Sequence, residues 1–252
     1  MSTEPATPFA QAPAATRLAA REVLAAAWPL FQVSLPGCLP LALLGVVASG
    51  APGAMAVASG EERGLLHSAQ WWGLYAASIL LMLVCYGGIL RQQLARSVGS
   101  RLGPLAALAQ GVAGLLPALA VVLLWLAALL AGLVLLVLPG LAVLVWCFCA
   151  WTAQIEERLG PVAALRRSMA LSRGRFLAMA GIVGATVAAV LVFVLLTSIL
   201  LAVVMNLAGL GTPTGHAGLS VSRWVMAALL SVPVVYFGAV NVAAWRVAKA
   251  SS

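Results

Sequence analysis

The sequence predicts an all-helical membrane protein: a polytopic bundle of six transmembrane spans with short interfacial elbow helices. Three observations carry this reading. Of the 252 residues, 63% are hydrophobic and 8% charged, against about 25% charged in soluble domains. A soluble fold of this size has too little interior to hide so much apolar surface, so lipid must be the solvent. The apolar residues fall into six runs, each near the roughly 20 residues that cross a hydrocarbon core. The basic residues gather in alternate connectors between those runs.

Each element follows in order. Residues 1–15 are rich in Ala, Pro and Thr without periodicity and read as a disordered tail. The first basic residue, Arg17, comes too late for the short positive region of a signal peptide, so the first run is read as a retained anchor. The expected spans are 29–49, 71–90, 113–136, 141–155, 176–207 and 223–245, all within one membrane domain over 16–252. Pro139 and Gly140 supply the expected tight break between the third and fourth spans. The fifth run is long enough to tilt, and Pro36, Pro40, Pro117 and Pro233 are positions where spans can kink.

Charge sets the expected orientation. With six spans, one side carries Arg17, Arg21, Arg91, Arg96, Arg101, Arg158, Arg166, Arg167, Arg173, Arg175, Arg246 and Lys249; the other carries Arg63 and Arg223. Positive residues stay inside, so both termini are expected in the cytoplasm of a bacterial inner membrane. The net charge of +8 is spread through connectors and not gathered on one folded face, which argues against nucleic acid as a partner. Anionic lipid is the expected partner, at roughly 1 kcal/mol per well-placed cation. A second copy of the chain or another envelope protein is the further partner class left open.

The densest connector is EERLGPVAALRRSMALSRGR, Glu156 to Arg175, which holds seven of the twenty charged residues. Its opening repeats an earlier one: Arg101–Leu108 reads RLGPLAAL and Arg158–Leu165 reads RLGPVAAL. In each, Pro sits where a helix starts, a position that needs no N–H. Leu105, Leu108 and Val112, and again Val162, Leu165 and Met169, lay an apolar stripe at helical spacing. Each copy reads as an elbow helix in the interface feeding a two-span hairpin. Residues 17–28 occupy the equivalent place before the first hairpin and would make a third parallel repeat.

The run from Leu135 to Met179 combines a Leu-Pro-Gly break (Leu138, Pro139, Gly140), an apolar span and an acidic residue (Glu156 or Glu157). Gly160, an Ala-Leu-x-x-Ser element (Ala164, Leu165, Ser168), Gly174 and Phe176 follow. This pattern resembles the YciC-type bacterial membrane proteins and is similar to the membrane domain attached to some glycerophosphodiester phosphodiesterases. The resemblance implies a polytopic inner-membrane protein without an established biochemical activity, tied to envelope upkeep, and it supplies no catalytic residues. Two departures stand out: Ala150–Ile155 lacks the proline usual before the acidic residue, and these 252 residues hold no phosphodiesterase domain.

No enzyme chemistry is expected. There is no Asp in the chain, which removes aspartyl proteases and Asp-rich phosphotransferases. His67 and His216, beside Glu61 and Glu62, fall short of the three or four converging ligands that zinc requires. Ser49 and Ser59 precede glycines but have no His within a span to activate them. Cys38, Cys85, Cys147 and Cys149 read as reduced core residues. No cofactor is expected. The absence of ionisable side chains near any midplane argues against a proton-driven pump.

The expected contact residues are therefore Arg101, Arg158, Arg166, Arg167, Arg173 and Arg175 against anionic headgroups. Glu156 and Glu157 form an expected salt-bridge latch with Arg158, Arg166 and Arg167. Gln32, Ser34, Ser78, Thr186, Thr197, Ser198 and Asn241 are polar positions in spans, while Trp71, Trp72, Trp125, Trp146, Trp151, Trp224 and Trp245 read mostly as interfacial anchors. Gly181, Gly184, Ala185 and Ala188 mark an expected close helix contact. The leading functional expectation is a non-catalytic protein that organises or maintains the envelope through helix packing and anionic lipid. The alternative is a carrier or flippase-like transporter with a polar cavity at mid-bundle.

Overall fold

The computed structural model describes residues 20–59, 68–135, 137–207 and 216–250, and among these every regular element is helical. The tail at 1–15, together with Arg17, Glu61, Glu62, Arg63 and His67, lies outside them. The helices are α1 (Ala20–Ser59), α2 (Ala69–Ser97), α3 (Pro104–Ala113), α4 (Leu115–Leu135) and α5 (Val137–Trp146). They continue with α6 (Ala150–Glu157), α7 (Pro161–Ser172), α8 (Phe176–Leu207) and α9 (His216–Ala250). Among the described residues, six stretches are long and apolar enough to cross a membrane: Ala20–Gly53, Ala69–Ser97, Leu115–Val134, Pro139–Glu157, Phe176–Leu207 and Trp224–Ala250. This is a multi-pass membrane protein built as an all-α bundle.

The core is a three-helix unit of α1, α2 and α9, with α3 laid on α2 and the α4–α5 hairpin carried through α6, α7 and α8. One buried cluster joins Val23 and Ala27 of α1 to Leu90 of α2, Met179 and Ile182 of α8, and Val240 and Trp245 of α9. A second joins Cys38 and Leu41 of α1 to Ile89 of α2, Ala107 of α3 and Val235 of α9. The opposite surface is the inverse of a soluble protein. On α8, Leu191, Leu195, Leu196, Ile199, Leu200 and Val204 are all exposed, as lipid-facing side chains are.

Both short helices start as expected, with Pro104 and Pro161 at their first positions. Each apolar stripe is split: Leu105, Val112 and Val162 are exposed, Leu108 and Leu165 pack partly against buried clusters, and Ala107, Gly111, Ala164 and Ser168 are buried. Small residues face the bundle because they let backbones approach closely. At the α2–α3 crossing, a Cβ on Gly88 would lie 3.0 Å from the carbonyl oxygen of Ala107, and one on Gly111 would collide with that of Val84. Glycine is required at Gly111, and at Gly88 a side chain would have to push the neighbouring backbone back by a few tenths of an ångström.

Four expectations are corrected. Pro139 and Gly140 lie inside the first turns of α5, where a proline is tolerated, and the chain reverses just before it. Gly132 and Gly140 make the close contact across that hairpin. The fourth span is broken at Cys147–Cys149 between α5 and α6, without a proline in the gap. Residues 20–28 run straight into α1 as one 40-residue helix, so no separate third elbow exists among the described residues. Gly184, Ala185 and Ala188 face outward on α8, and Gly181, though exposed, lies beside Ala20 of α1, so the four do not form the expected stripe of close helix contact.

Candidate functional site

The ends of five helices meet at one end of the bundle. Arg246 Nε near the end of α9 donates to Ser97 Oγ at the end of α2 (3.2 Å), and Arg175 Nη1 ahead of α8 donates to the Ala248 carbonyl (3.4 Å). Ala20 at the start of α1 lies against Gly181 of α8. Helix α6 delivers Glu156 and Glu157 to the same place. Connectors that alternate in sequence thus converge in space.

Glu156 is the hub of this end. Its carboxylate accepts from the indole Nε1 of Trp245 at 2.7 Å, from Lys249 Nζ at 2.9 Å and from Arg246 Nη1 at 3.2 Å. Glu157 accepts from Arg167 at 3.3 Å and pairs with Lys249 at 3.4 Å. Carboxylates at the negative end of a helix are disfavoured unless cations offset the dipole, and α9 brings two of them. Lys249 and Arg167 also stand over the Trp245 ring at 5.5 and 6.0 Å, within the range of cation–π attraction. The structure thus ties α6 to both α7 and α9.

Of the expected latch partners, Arg167 alone pairs; Arg158 and Arg166 make no ion pair with a described residue. The α9 partners have no local signal in the sequence. Trp245 is a correction too: it is fully buried, a core residue with a polar handle and not an interfacial anchor. Trp28, Trp72, Trp146 and Trp224 are the exposed ones. Arg101, Arg158, Arg166 and Arg173 are exposed and Arg175 is half-buried.

The break in the fourth span explains several polar positions. It frees carbonyls inside the bundle, and such groups must find partners. Ser168 Oγ of α7 donates to the Trp146 carbonyl at 2.6 Å, and Asn241 Nδ2 of α9 donates to the Phe148 carbonyl at 2.7 Å. The hydroxyl of Thr152 in turn donates to Asn241 Oδ1. Asn241→Leu leaves two buried groups unpaired and is expected to lower stability by about 1–2 kcal/mol, read as a fall in the thermal midpoint. An unchanged midpoint would mean that the break is held by Ser168 alone. Ser34, Ser78, Thr186 and Thr197, by contrast, bond back to carbonyls of their own helices.

Beside the charged end lies a cavity of about 810 Å³, bounded by α2, α3, α4 and α6. Arg91, Arg158, Arg246, Gln110, Gln154 and Glu156 give it its polar lining. Gln154 is 6% exposed, and neither its amide nitrogen nor its oxygen has a protein partner. Arg91 Nη1 is likewise buried and unpartnered. Its guanidinium lies where a Cβ on Gly114 would stand, so the glycine at the α3–α4 joint makes the room. Arg158 holds a left-handed backbone (φ 51°) as the cap of α6 and is the one non-glycine residue with positive φ among those described. That conformation costs an L-residue roughly 1–2 kcal/mol.

A second cavity of about 310 Å³ adjoins the first and is apolar, with Val121, Trp125, Phe148, Val183, Val187 and Phe237 in its walls. Trp151 lines both. Trp125, deep in its span, thereby has a place. Ser198 lines neither cavity, and Asn241, at the apolar one, is committed to its two bonds. His216 opens α9, but its side chain lies outside the described residues. Among the described residues, no three metal-ligating side chains converge.

Arg91 and Gln154 were not legible as site residues. Arg91 counted only as a boundary charge and Gln154 was not singled out; only the fold places them in one cavity. No family model, curated protein or solved structure matches the chain.

Proposed function

We propose that this is a bacterial inner-membrane protein with both termini in the cytoplasm, without catalytic activity, that organises the membrane by gripping anionic headgroups at its basic end. The carrying observation is the convergence of helix ends. Glu156 and Glu157 are matched by Arg167, Arg246 and Lys249, which leaves exposed Arg101, Arg158, Arg166 and Arg173 without an ion-pair partner among the described residues. Cations without internal partners at a span boundary are suited to lipid phosphates. The resemblance to YciC-type proteins points the same way, to a polytopic inner-membrane protein of the envelope.

The carrier alternative needs a polar route through mid-bundle. The cavity there is lined almost wholly by apolar side chains, which favours the organising role.

The test is lipid retention. Protein purified in mild detergent is expected to keep phosphatidylglycerol or cardiolipin, seen by native mass spectrometry, and the Arg101/Arg166/Arg173→Ala variant is expected to keep several-fold less. Equal retention by the two would remove the headgroup role of these arginines. A periplasmic reporter fused after residue 252 is expected to stay inactive, and an active one reverses the orientation.

A further inference from the structure

We infer that the two adjoining cavities are one binding site for a single anionic phospholipid, with its phosphodiester in the polar cavity and an acyl chain in the apolar one. Of the exposed arginines above, the site uses Arg158 and none of Arg101, Arg166 and Arg173, the three changed in the retention test, so either proposal can fail alone.

The polar compartment asks for an anion. Arg91 and Arg158 line it and have no carboxylate partner. Arg246 lines it too, but its charge is shared with Glu156, the one acid in the wall. The net lining is therefore positive. Gln154 adds a donor and an acceptor, both buried and unpartnered, at the same wall. A buried amide costs free energy unless it is hydrogen-bonded. A phosphodiester supplies acceptors for the guanidinium groups and the amide N–H, and a glycerol hydroxyl supplies a donor for the amide oxygen. Arginine is suited to this because its planar fork matches phosphate oxygens.

The second compartment decides between a free anion and a lipid. Its wall is continuous with the first along two helices, one turn apart: Ala118 then Val121 on α4, and Gln154 then Ala150 on α6. At the junction the Trp151 indole lies against Tyr86, centroids 5.1 Å apart, and passes over Gly87, whose Cβ would stand 3.6 Å from the ring. An aromatic with one apolar and one polar neighbour compartment is what the junction of a headgroup and a tail requires. The half-exposed Val187 of α8 is on the apolar wall, so this compartment is reached from the lipid-facing side. Arg158 contributes the remaining sign. A strained left-handed backbone at a cavity rim, where glycine would be relaxed, keeps a guanidinium there.

Two variants test this in the full chain. Arg158→Gly removes the guanidinium yet suits the left-handed backbone, so the thermal midpoint should hold or rise. Val187→Trp fills the apolar compartment from its half-exposed wall. Delipidated protein in a neutral detergent is titrated with dioleoylphosphatidylglycerol, dioleoylphosphatidylcholine, sn-glycerol 3-phosphate and inorganic phosphate. Phosphatidylglycerol is expected to bind at least tenfold more tightly than the other three. Arg158→Gly should reduce its affinity towards that of the choline lipid, and Val187→Trp should weaken it while leaving any glycerol 3-phosphate binding unchanged. If inorganic phosphate binds as tightly as the lipid, the site is one for a free anion and the proposal falls. It falls equally if both variants, folded by their midpoints, bind phosphatidylglycerol like the parent.

Discussion

Glu156→Leu is expected to lower the thermal midpoint of the purified protein by about 5–10 °C. Hydrogen bonds to a charged acceptor contribute roughly 1.5–3 kcal/mol, and each kcal/mol shifts a chain of this size by about 2–4 °C. The loss has two parts. Trp245 is fully buried and its N–H has Glu156 as its partner, so removing the carboxylate leaves a desolvated donor. Arg246 and Lys249 are about a third exposed, at 34% and 38%, and their share is screened by water and salt. Glu156→Gln keeps an acceptor for the indole and loses only the ionic part, so it should fall between parent and Leu. Raising salt should narrow the gap between parent and Gln and leave the Leu deficit in place. A Leu variant as stable as the parent would show that α9 is not tied to α6 at this hub.

Gly111→Val is expected to cost about 3 kcal/mol or to abolish folding, the upper range for overpacking. The obstruction is a main-chain carbonyl, that of Val84, and a backbone atom cannot swing aside as a side chain can. The variant must either lift α3 from α2 or bend one of them. Gly73→Ala on α2 is the control: nothing lies within 4 Å of a Cβ there, and alanine favours a helix interior over glycine. Its midpoint should hold or rise. Limited proteolysis near residues 98–103 should accelerate in Gly111→Val alone if α3 detaches. Equal midpoints for the two variants would refute the close crossing.

Much of the fold was legible because lipid imposes a simple rule on the sequence. A span must be long and apolar, so six runs announce six helices, and the Pro at each RLGP announces the short helices α3 and α7. The break at Cys147–Cys149 carried no such mark. Its freed carbonyls are met by Ser168 of α7, 22 residues on, and Asn241 of α9, 93 residues on, so the information is tertiary. The same holds for the site. Glu156 and Arg167 lie in one connector and could be paired by eye, but Trp245 and Lys249 could not. Gln154 reads as an ordinary polar residue until the fold buries it in the wall of the cavity that Arg91 also lines. Orientation of a helix face was also hidden: a large apolar residue can face lipid here while a small one faces the bundle, as exposed Leu105 and buried Ala107 show.

The pairing of the first helix with the last has a consequence for how the protein is made. Helix α1 packs mainly on α2 and α9, and Gln93 donates to the Val235 carbonyl across 142 residues of chain at 2.8 Å. Synthesis proceeds at about 5–20 residues per second, so Val23, Ala27 and the Gln93 amide must wait in the bilayer for several seconds before their partner arrives. During that interval the nascent chain exposes a polar amide and the carboxylates of α6 without the helix that answers them. The final span is thus the closing step of assembly, and a ribosome stalled before it leaves a product suited to membrane quality-control proteases. Chains truncated at residue 215 should be degraded quickly, and supplying α9 as a separate polypeptide should rescue them.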